Sequence, residues 1–290
     1  MAAPMSASEL LAGLCAEGLT VVEEGNWRTH NRNSKGAWGP VNGVMIHHTV
    51  TKGTVATVGV VRNGYADLPG PLCHSMIAKD GRVHLIGYGR TNHAGLGDDD
   101  VLQAVVAEKG LPADNEANTD GNRHFYGFEC ENLGDGKDPW PDAQLEAIEK
   151  AAAAICRHHG WKAASVIGHK EWQPGKVDPR GFDMEEMRHG IDSRLGARPD
   201  KPKRTAPKPP PRPAFPGRAA FGPGQSNGSI LLLGLQLVRR GFGKHYRVGP
   251  SKSWGEADRL NLADFQRSNK QLSGDADGYP GPLTWHILFS

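Results

Sequence analysis

Residues 168–179 read GHKEWQPGKVDP and hold an imidazole, two lysines and two carboxylates among two prolines and two glycines. So polar and broken a stretch is no core strand; it is a loop on which side chains converge. Two further imidazoles, His47 and His48, end the apolar run VNGVMI, and His169 itself follows ASVI. Two strand-end imidazoles with the carboxylate of Asp178, nine residues past His169, make a reasonable catalytic Zn²⁺ set with a fourth position left for water. A plainer use suits the same residues, because strand-end histidines commonly sit at the surface or in hydrogen bonds. Spacing alone leaves both open.

The elements that must position these groups can be read around them. VNGVMIHHTV and ASVIG are strands, and HFYGFECEN is another, whose period of two puts Glu129 and Glu131 on one face and Cys130 on the other. LCHSMIAKDGRVHLIG reads as a hairpin turning at Asp80-Gly81. PDAQLEAIEKAAAAICRHHG is the clearest helix, opened by Pro141 and Asp142 and stopped by Gly160. Strands mixed with helices imply an α/β domain around one sheet.

The 290 residues suffice for one sizeable domain and a smaller second one. Residues 197–216, ARPDKPKRTAPKPPPRPAFP, carry eight prolines and six Lys or Arg. Proline withholds backbone donors and favours extended chain, so a semi-rigid tether is expected there. The division is 1–196, a linker over 197–218, and 219–290. A formal charge of +2 gives no bulk argument for nucleic acid. The four cysteines, Cys15, Cys73, Cys130 and Cys156, form no close pair and are expected to be reduced and mostly buried. MAAPMSASELLAGLCAEGL lacks a basic start and is interrupted by Glu9 and Glu17, which reads as a surface helix and not a signal peptide. No window approaches a membrane-spanning length, so no membrane insertion is expected.

Four separated segments, IHHT, NHAG, FECEN and GHKEWQPGKVDP, resemble in order the zinc-dependent N-acetylmuramoyl-L-alanine amidase family, which includes phage endolysins and is related to peptidoglycan recognition proteins. The resemblance covers about residues 20–190. It implies a mixed central sheet flanked by helices with a zinc cleft, and hydrolysis of the amide between muramic acid and the L-alanine of the stem peptide. Carried onto this sequence, it makes His47, His169 and Asp178 the zinc ligands, other branches having cysteine at the third position. It makes Glu129 the base and Lys176 the group that offsets oxyanion charge. Glu131 is then supporting or substrate-facing, and His48 and His74 are supporting. His93 lies beside the cleft with Asn92 and Asn132 and contacts substrate. Two departures stand out. Cys73 occupies a position where many members have tyrosine, which leaves Lys176 as the oxyanion partner. The turn also has one basic residue before Val177-Asp178 where relatives often have two.

Residues 219–290 contain ILLLGLQLVRRGFG and WGEADRLNLADFQRSNKQLSGDADGYPGPLTWHILF, two helical runs and a turn leading to a short final helix. A small all-α three-helix unit is expected. The pattern is similar to the peptidoglycan-binding domain of bacterial and phage wall hydrolases, which implies glycan contacts from Trp254 and Tyr279, whereas Trp285 at helical spacing suits the core. The whole reads as a monomeric wall hydrolase with zinc as cofactor and bacterial peptidoglycan as partner. Without a signal peptide, a phage lysin held in the host cytoplasm until a separate membrane protein releases it is the expected setting. The main alternative is a non-catalytic peptidoglycan receptor, which would keep the cleft and lose a ligand. A metalloprotease lacks support, since no H-E-x-x-H occurs.

Overall fold

VMI, FYGF and VIG are apolar on both faces, a pattern that suits parallel strands covered from both sides. In the computed structural model, which describes residues 2–197 and 213–290, these runs form the centre and one edge of a six-stranded sheet. Most of the expected tether therefore lies outside the described residues. The chain divides into two units, Met1–Thr205 and Ala206–Ser290.

In chain order the first unit contains α1 (Ala7–Ala16), β1 (Val21–Glu23), β2 (Gly43–His48), α2 (Thr54–Asn63), β3 (Ser75–Ile77) and β4 (Val83–Leu85). There follow β5 (Leu96–Gly97), α3 (Asp99–Val106), β6 (Thr119–Asp120), α4 (Gly121–His124), β7 (Phe125–Cys130), α5 (Asp142–His159), β8 (Val166–Gly168) and α6 (Met184–Gly196). The sheet order is β1-β4-β3-β7-β2-β8. Among the described residues of this sheet only the β3–β4 hairpin is antiparallel, and it turns at Asp80-Gly81, where Gly81 takes φ 81°; β5 and β6 form a separate antiparallel pair. The mixed sheet flanked by helices agrees with the architecture expected from the sequence.

Alternation along β2 sends Val44 and Ile46 into a core shared with α1, α5 and α6. Met45 goes to the opposite face, with Phe125, Ile167, Trp172 and the Val101 and Val105 side chains of α3. The alanines at 151–154 in α5 are all buried in the first core, small side chains that let the helix lie close to the sheet. Pro141 stands at its N-cap and Gly160 closes it in the left-handed conformation. The N-terminal helix is capped by a Ser6–Glu9 box and buries Leu10 and Leu14, so it is part of the core and not merely a surface helix. All four cysteines are free, three of them buried.

Registers matter most for the site. β7, β2 and β8 are adjacent and parallel, with His47 paired to Glu129 and Ile46 to Gly168. Their carboxyl ends therefore bring Glu129, His47 and His169 to one level, the end of a parallel sheet where ligands bind in open α/β folds.

The described residues of the second unit contain α7 (Gly228–Arg239), α8 (Glu256–Ser268) and α9 (Pro282–Leu288). They bury Ile230, Leu233, Leu237, Leu262, Phe265, Trp285 and Leu288 in a core of their own. The Trp285 Nε1–H donates to the Pro213 carbonyl at 2.8 Å, and Phe215 packs on the same cluster. Packing in this unit thus reaches back into the proline-rich stretch. Among the described residues, no helix is long and apolar enough to cross a membrane.

Trp172 ties the site loop to the body. It is fully buried, packs against Phe125, donates from Nε1 to the Ala94 carbonyl at 2.9 Å, and accepts from Asp98 N–H through its own carbonyl. Trp172→Ala is expected to lower stability by about 3–5 kcal/mol, as truncation of a large core side chain does. Urea unfolding checks this; a loss under about 1 kcal/mol would mean the loop is held elsewhere.

Candidate metal centre and active site

The twelve residues of GHKEWQPGKVDP form a closed loop. The Lys170 N–H donates to the Asp178 carbonyl at 2.7 Å, which brings Asp178 back beside His169. Beyond it, the Arg180 N–H donates to His48 Nδ1 at 3.1 Å and pins the exit of the loop to the end of β2. Gly168 has no room for a side chain, because a Cβ there would lie 2.8 Å from Pro179 Cδ. Glu171 accepts from Gly168 N–H and pairs with Arg188 of α6.

Three ligand atoms meet at this place. His47 Nδ1 and His169 Nδ1 are 3.0 Å apart, and each is 3.1 Å from Asp178 Oδ2. The surroundings decide which of these atoms carry protons. His93 Nε2 faces the Phe125 carbonyl at 3.3 Å, and a carbonyl only accepts, so that nitrogen holds the proton and His93 Nδ1 accepts. His93 Nδ1 lies 3.0 Å from His47 Nε2, which must then donate and leave His47 Nδ1 as a bare lone pair. On the other ring, His169 Nε2 donates to Gln173 Oε1 at 3.2 Å, so its Nδ1 is bare as well. Two lone pairs and a carboxylate oxygen then face one another with no proton between them. Such a triangle repels itself unless a cation fills it. Tetrahedral zinc with bonds of about 2.0–2.1 Å places its ligand atoms about 3.3 Å apart, close to the spacing found. The donor set fits zinc.

Electrostatics agree with this assignment. Burial, aided by the neighbouring His169, lowers the His47 pKa to about 4, so the ring is neutral at pH 7. Burial alone would raise the Asp178 pKa; in the other proton arrangement, with N–H groups of His169 and His47 turned toward it, the carboxyl is held well below its ordinary range, and a cation takes the place of those protons when both nitrogens are bare. His93 is pushed well below its ordinary value by burial and by His47, His74 and His169.

Glu129 stands beside the triangle on β7, half-buried. Its Oε2 is buried with no hydrogen-bond partner among the described residues. Burial and the charge of Asp178 push its pKa up to about 8 against the opposing pull of Lys176. In the metal-free protein this carboxyl is mostly protonated at pH 7; a cation in the triangle would offset the charge of Asp178 and leave the unpaired carboxylate that a proton acceptor requires. Lys176 is exposed on the loop.

The remaining expected residues lie as follows. Glu131 points away from Glu129: its two oxygens accept from Gly53 N–H at 2.7 Å and the Thr54 hydroxyl at 2.8 Å, capping α2 where Gly53 offers no side chain. His93 is buried behind His47 with both ring nitrogens bonded. Asn92 is half-buried and donates to the Pro69 carbonyl. His74 is fully buried, accepting from Gly127 N–H and facing the Gly89 carbonyl. Gly127 leaves the space that His93 and Cys73 fill, since a Cβ would lie 2.6 Å from both. A second ligand-like group, His47, Cys73 and His93, shares His47 with the first. In the second unit Trp254 and Tyr279 are half-buried and stacked at 5.6 Å, while Trp285 is core. Gln173 and Trp172 escaped the sequence reading, although the i to i+4 spacing of His169 and Gln173 was visible.

The metal-free protein carries a pH signature of Glu129. Ionisation near 4.5 when unfolded and near 8 when folded means that stability from its neutral form is complete below about pH 4.5 and is lost as pH rises toward 8. Glu129→Gln stays neutral throughout. The chelator-treated variant is expected to match the chelator-treated parent near pH 4.5 and to melt progressively higher than it toward pH 8. Curves that stay parallel would show that Glu129 ionises normally.

Residues 37–181 match the family model described as N-acetylmuramoyl-L-alanine amidase. Among solved structures, the chain is similar to N-acetylmuramoyl-L-alanine amidase LysC from Clostridium intestinale URNW, at 15% identity over 60% of this chain and 97% of that one, with a TM-score of 0.39. It is similar to AmiD from E. coli, described as a complex with anhydro-N-acetylmuramic acid-L-Ala-D-gamma-Glu-L-Lys, at 17% identity over 89% and 90%, with a TM-score of 0.39. Drosophila peptidoglycan recognition protein SA aligns at 18% identity over 59% and 91%, with a TM-score of 0.37. No curated protein sequence matches the chain. The family model spans half of the sequence and includes His47, Glu129, His169 and Asp178, and on that match the chain belongs to the N-acetylmuramoyl-L-alanine amidase family.

Proposed function

We propose that this protein is a modular wall hydrolase whose first unit cuts peptidoglycan and whose second unit keeps the enzyme on it. As a family member, the chain is a zinc-dependent hydrolase of the amide bond between N-acetylmuramic acid and L-alanine. The observation that supports the residue assignment is the triangle of His47 Nδ1, His169 Nδ1 and Asp178 Oδ2, with sides of 3.0–3.1 Å.

Zinc would be held by those three atoms. When bound it supplies Lewis-acid polarisation of the scissile carbonyl and makes the attacking water more acidic. Glu129 takes the proton from that water through its unpaired oxygen and delivers it to the leaving amine of L-alanine. Lys176 presents its ammonium to the oxyanion from the loop, the place left to it by Cys73. His93 acts through His47, holding the ring in the tautomer whose Nδ1 is bare. A complete ligand set with a base beside it disfavours the reading as a non-catalytic receptor, for which the metal and Glu129 would be superfluous.

The second unit resembles a peptidoglycan-binding domain, and the stacked Trp254 and Tyr279 offer a flat aromatic surface of the kind that takes a sugar ring. The setting that fits is a phage lysin stored in the host cytoplasm and passed to the wall by a separate membrane protein.

His169→Ala is expected to lose zinc together with activity, as elemental analysis would show. Glu129→Ala is expected to fold, keep its zinc and bind walls, yet lose about 10²–10⁴ in rate, the usual contribution of a positioned proton-transfer group. Zinc loss in Glu129→Ala, or near-normal turnover, would place the base elsewhere. A chain ending within the proline-rich stretch is expected to cleave soluble muropeptides as well as the parent but to act poorly on intact walls at low enzyme concentration. Equal lysis by both would remove the anchoring role.

A further inference from the structure

The mechanism leaves one buried nucleophile unused. Cys73 is fully buried, and its sulfur, an imidazole nitrogen of His93 and one of His47 all lie within 4.8 Å of one another. A buried cysteine is commonly a small apolar filler, and Cys73 does pack in a cluster with Leu72, Met76 and Ile86. Its sulfur nevertheless has different company from the other buried thiols. Those of Cys130 and Cys156 lie against the Phe128 and Lys162 carbonyls, whereas that of Cys73 faces two imidazoles. Gly127 keeps the place open: a Cβ there would lie 2.6 Å from both Cys73 Sγ and His93 Nδ1.

The proton arrangement makes this group a donor set. His93 Nε2 donates its proton to the Phe125 carbonyl, so His93 Nδ1 carries a lone pair. That lone pair accepts from His47 Nε2 at 3.0 Å. A metal about 2.3 Å from a sulfur and about 2.0 Å from an imidazole nitrogen separates the two by roughly 3.6–4.3 Å, from tetrahedral to linear. A limit of 4.8 Å admits that span. The two donor sets also differ in hardness. The triangle offers two nitrogens and a carboxylate oxygen, which suits zinc, while its neighbour adds a sulfur, and thiolate selects soft ions such as Cu(I).

We infer that Cys73 and His93 form a second cation site beside the zinc centre, one that takes the thiophilic ion Cu(I) and disables the enzyme when filled. The sulfur and His93 Nδ1 bond to the ion, and the thiol proton leaves to solvent. His93 Nδ1 then no longer accepts from His47 Nε2, and the His47 ring loses the partner that fixes its tautomer. Burial does not bar entry. His47 is 1% exposed and belongs to both sets, so an ion that reaches the triangle has reached this ring. The site itself stands apart from the hydrolase reading; only its effect on rate rests on that reading.

Zinc-loaded full-length protein is titrated anaerobically with Cu(I) against bicinchoninate as competing chelator, in a Cys15→Ser background that removes the exposed thiol. One Cu(I) per chain is expected, with an ultraviolet thiolate-to-copper absorption band and zinc retained. Hydrolysis of muropeptides is expected to slow about tenfold or more. Cys73→Ser should keep its zinc and melting temperature and bind Cu(I) at least about tenfold more weakly. Cys130→Ser, which removes a buried thiol outside the set, should bind copper as the parent does. His169→Ala, lacking zinc, should still take one Cu(I). Equal Cu(I) affinity in Cys73→Ser, no Cu(I) retained by the parent, or release of one zinc for each Cu(I) bound would overturn the site. Copper bound through Cys73 with an unchanged rate would overturn the link to His47. Copper is counted without turnover, so a protein inactive on muropeptides would bear on the hydrolase reading and not on the site.

Discussion

Two imidazole lone pairs and a carboxylate oxygen held about 3 Å apart are mutually repulsive, and the first unit is organised to keep them there. No one of the three residues can do this alone. His47 is aimed by its strand and by His93, His169 by Gln173, and Asp178 by the return of a loop whose backbone closes on Lys170. The arrangement tolerates its own repulsion because every ring nitrogen facing outward from the triangle has a partner that fixes its proton.

Parallel pairing supplies the coarse positioning. β7, β2 and β8 lie side by side in one direction, so groups at their carboxyl ends arrive together although they are far apart in sequence. Fine positioning comes from close packing behind them. Gly127 and Gly168 are places where a methyl group would displace a site residue or its loop, and at Gly97 and Gly121 it would meet Trp172 of that loop. Trp172 fills the space beneath the loop and joins it to the segment that carries His93.

Much of this could be read in the chain. The strands at 43–48, 125–130 and 166–168 announce themselves by composition, and the α5 helix by its period and its proline and glycine boundaries. The ligand triad is what the resemblance carried by the four motifs implies. What could not be read was the use of groups whose role is set by a partner remote in sequence. Glu131 has the same spacing on the strand pattern as Glu129, yet β7 ends at Cys130, and Glu131 leaves to cap a helix that begins at Thr54. His93 lies in a cleft motif, but its ring is turned inward by the Phe125 carbonyl. A strand period says which face a residue takes and not which neighbour waits there.

The fixed protons of the triangle have a consequence for how the site fills. A metal that must strip protons from its ligands competes with hydrogen ion, and its occupancy rises and falls with acidity. Here the His47 ring is neutral at pH 7 and the nitrogen that faces the triangle is already bare. Zinc entering at pH 7 therefore displaces no hydrogen ion from that ligand, and hydrogen ion competes for it only as the surroundings approach about pH 4.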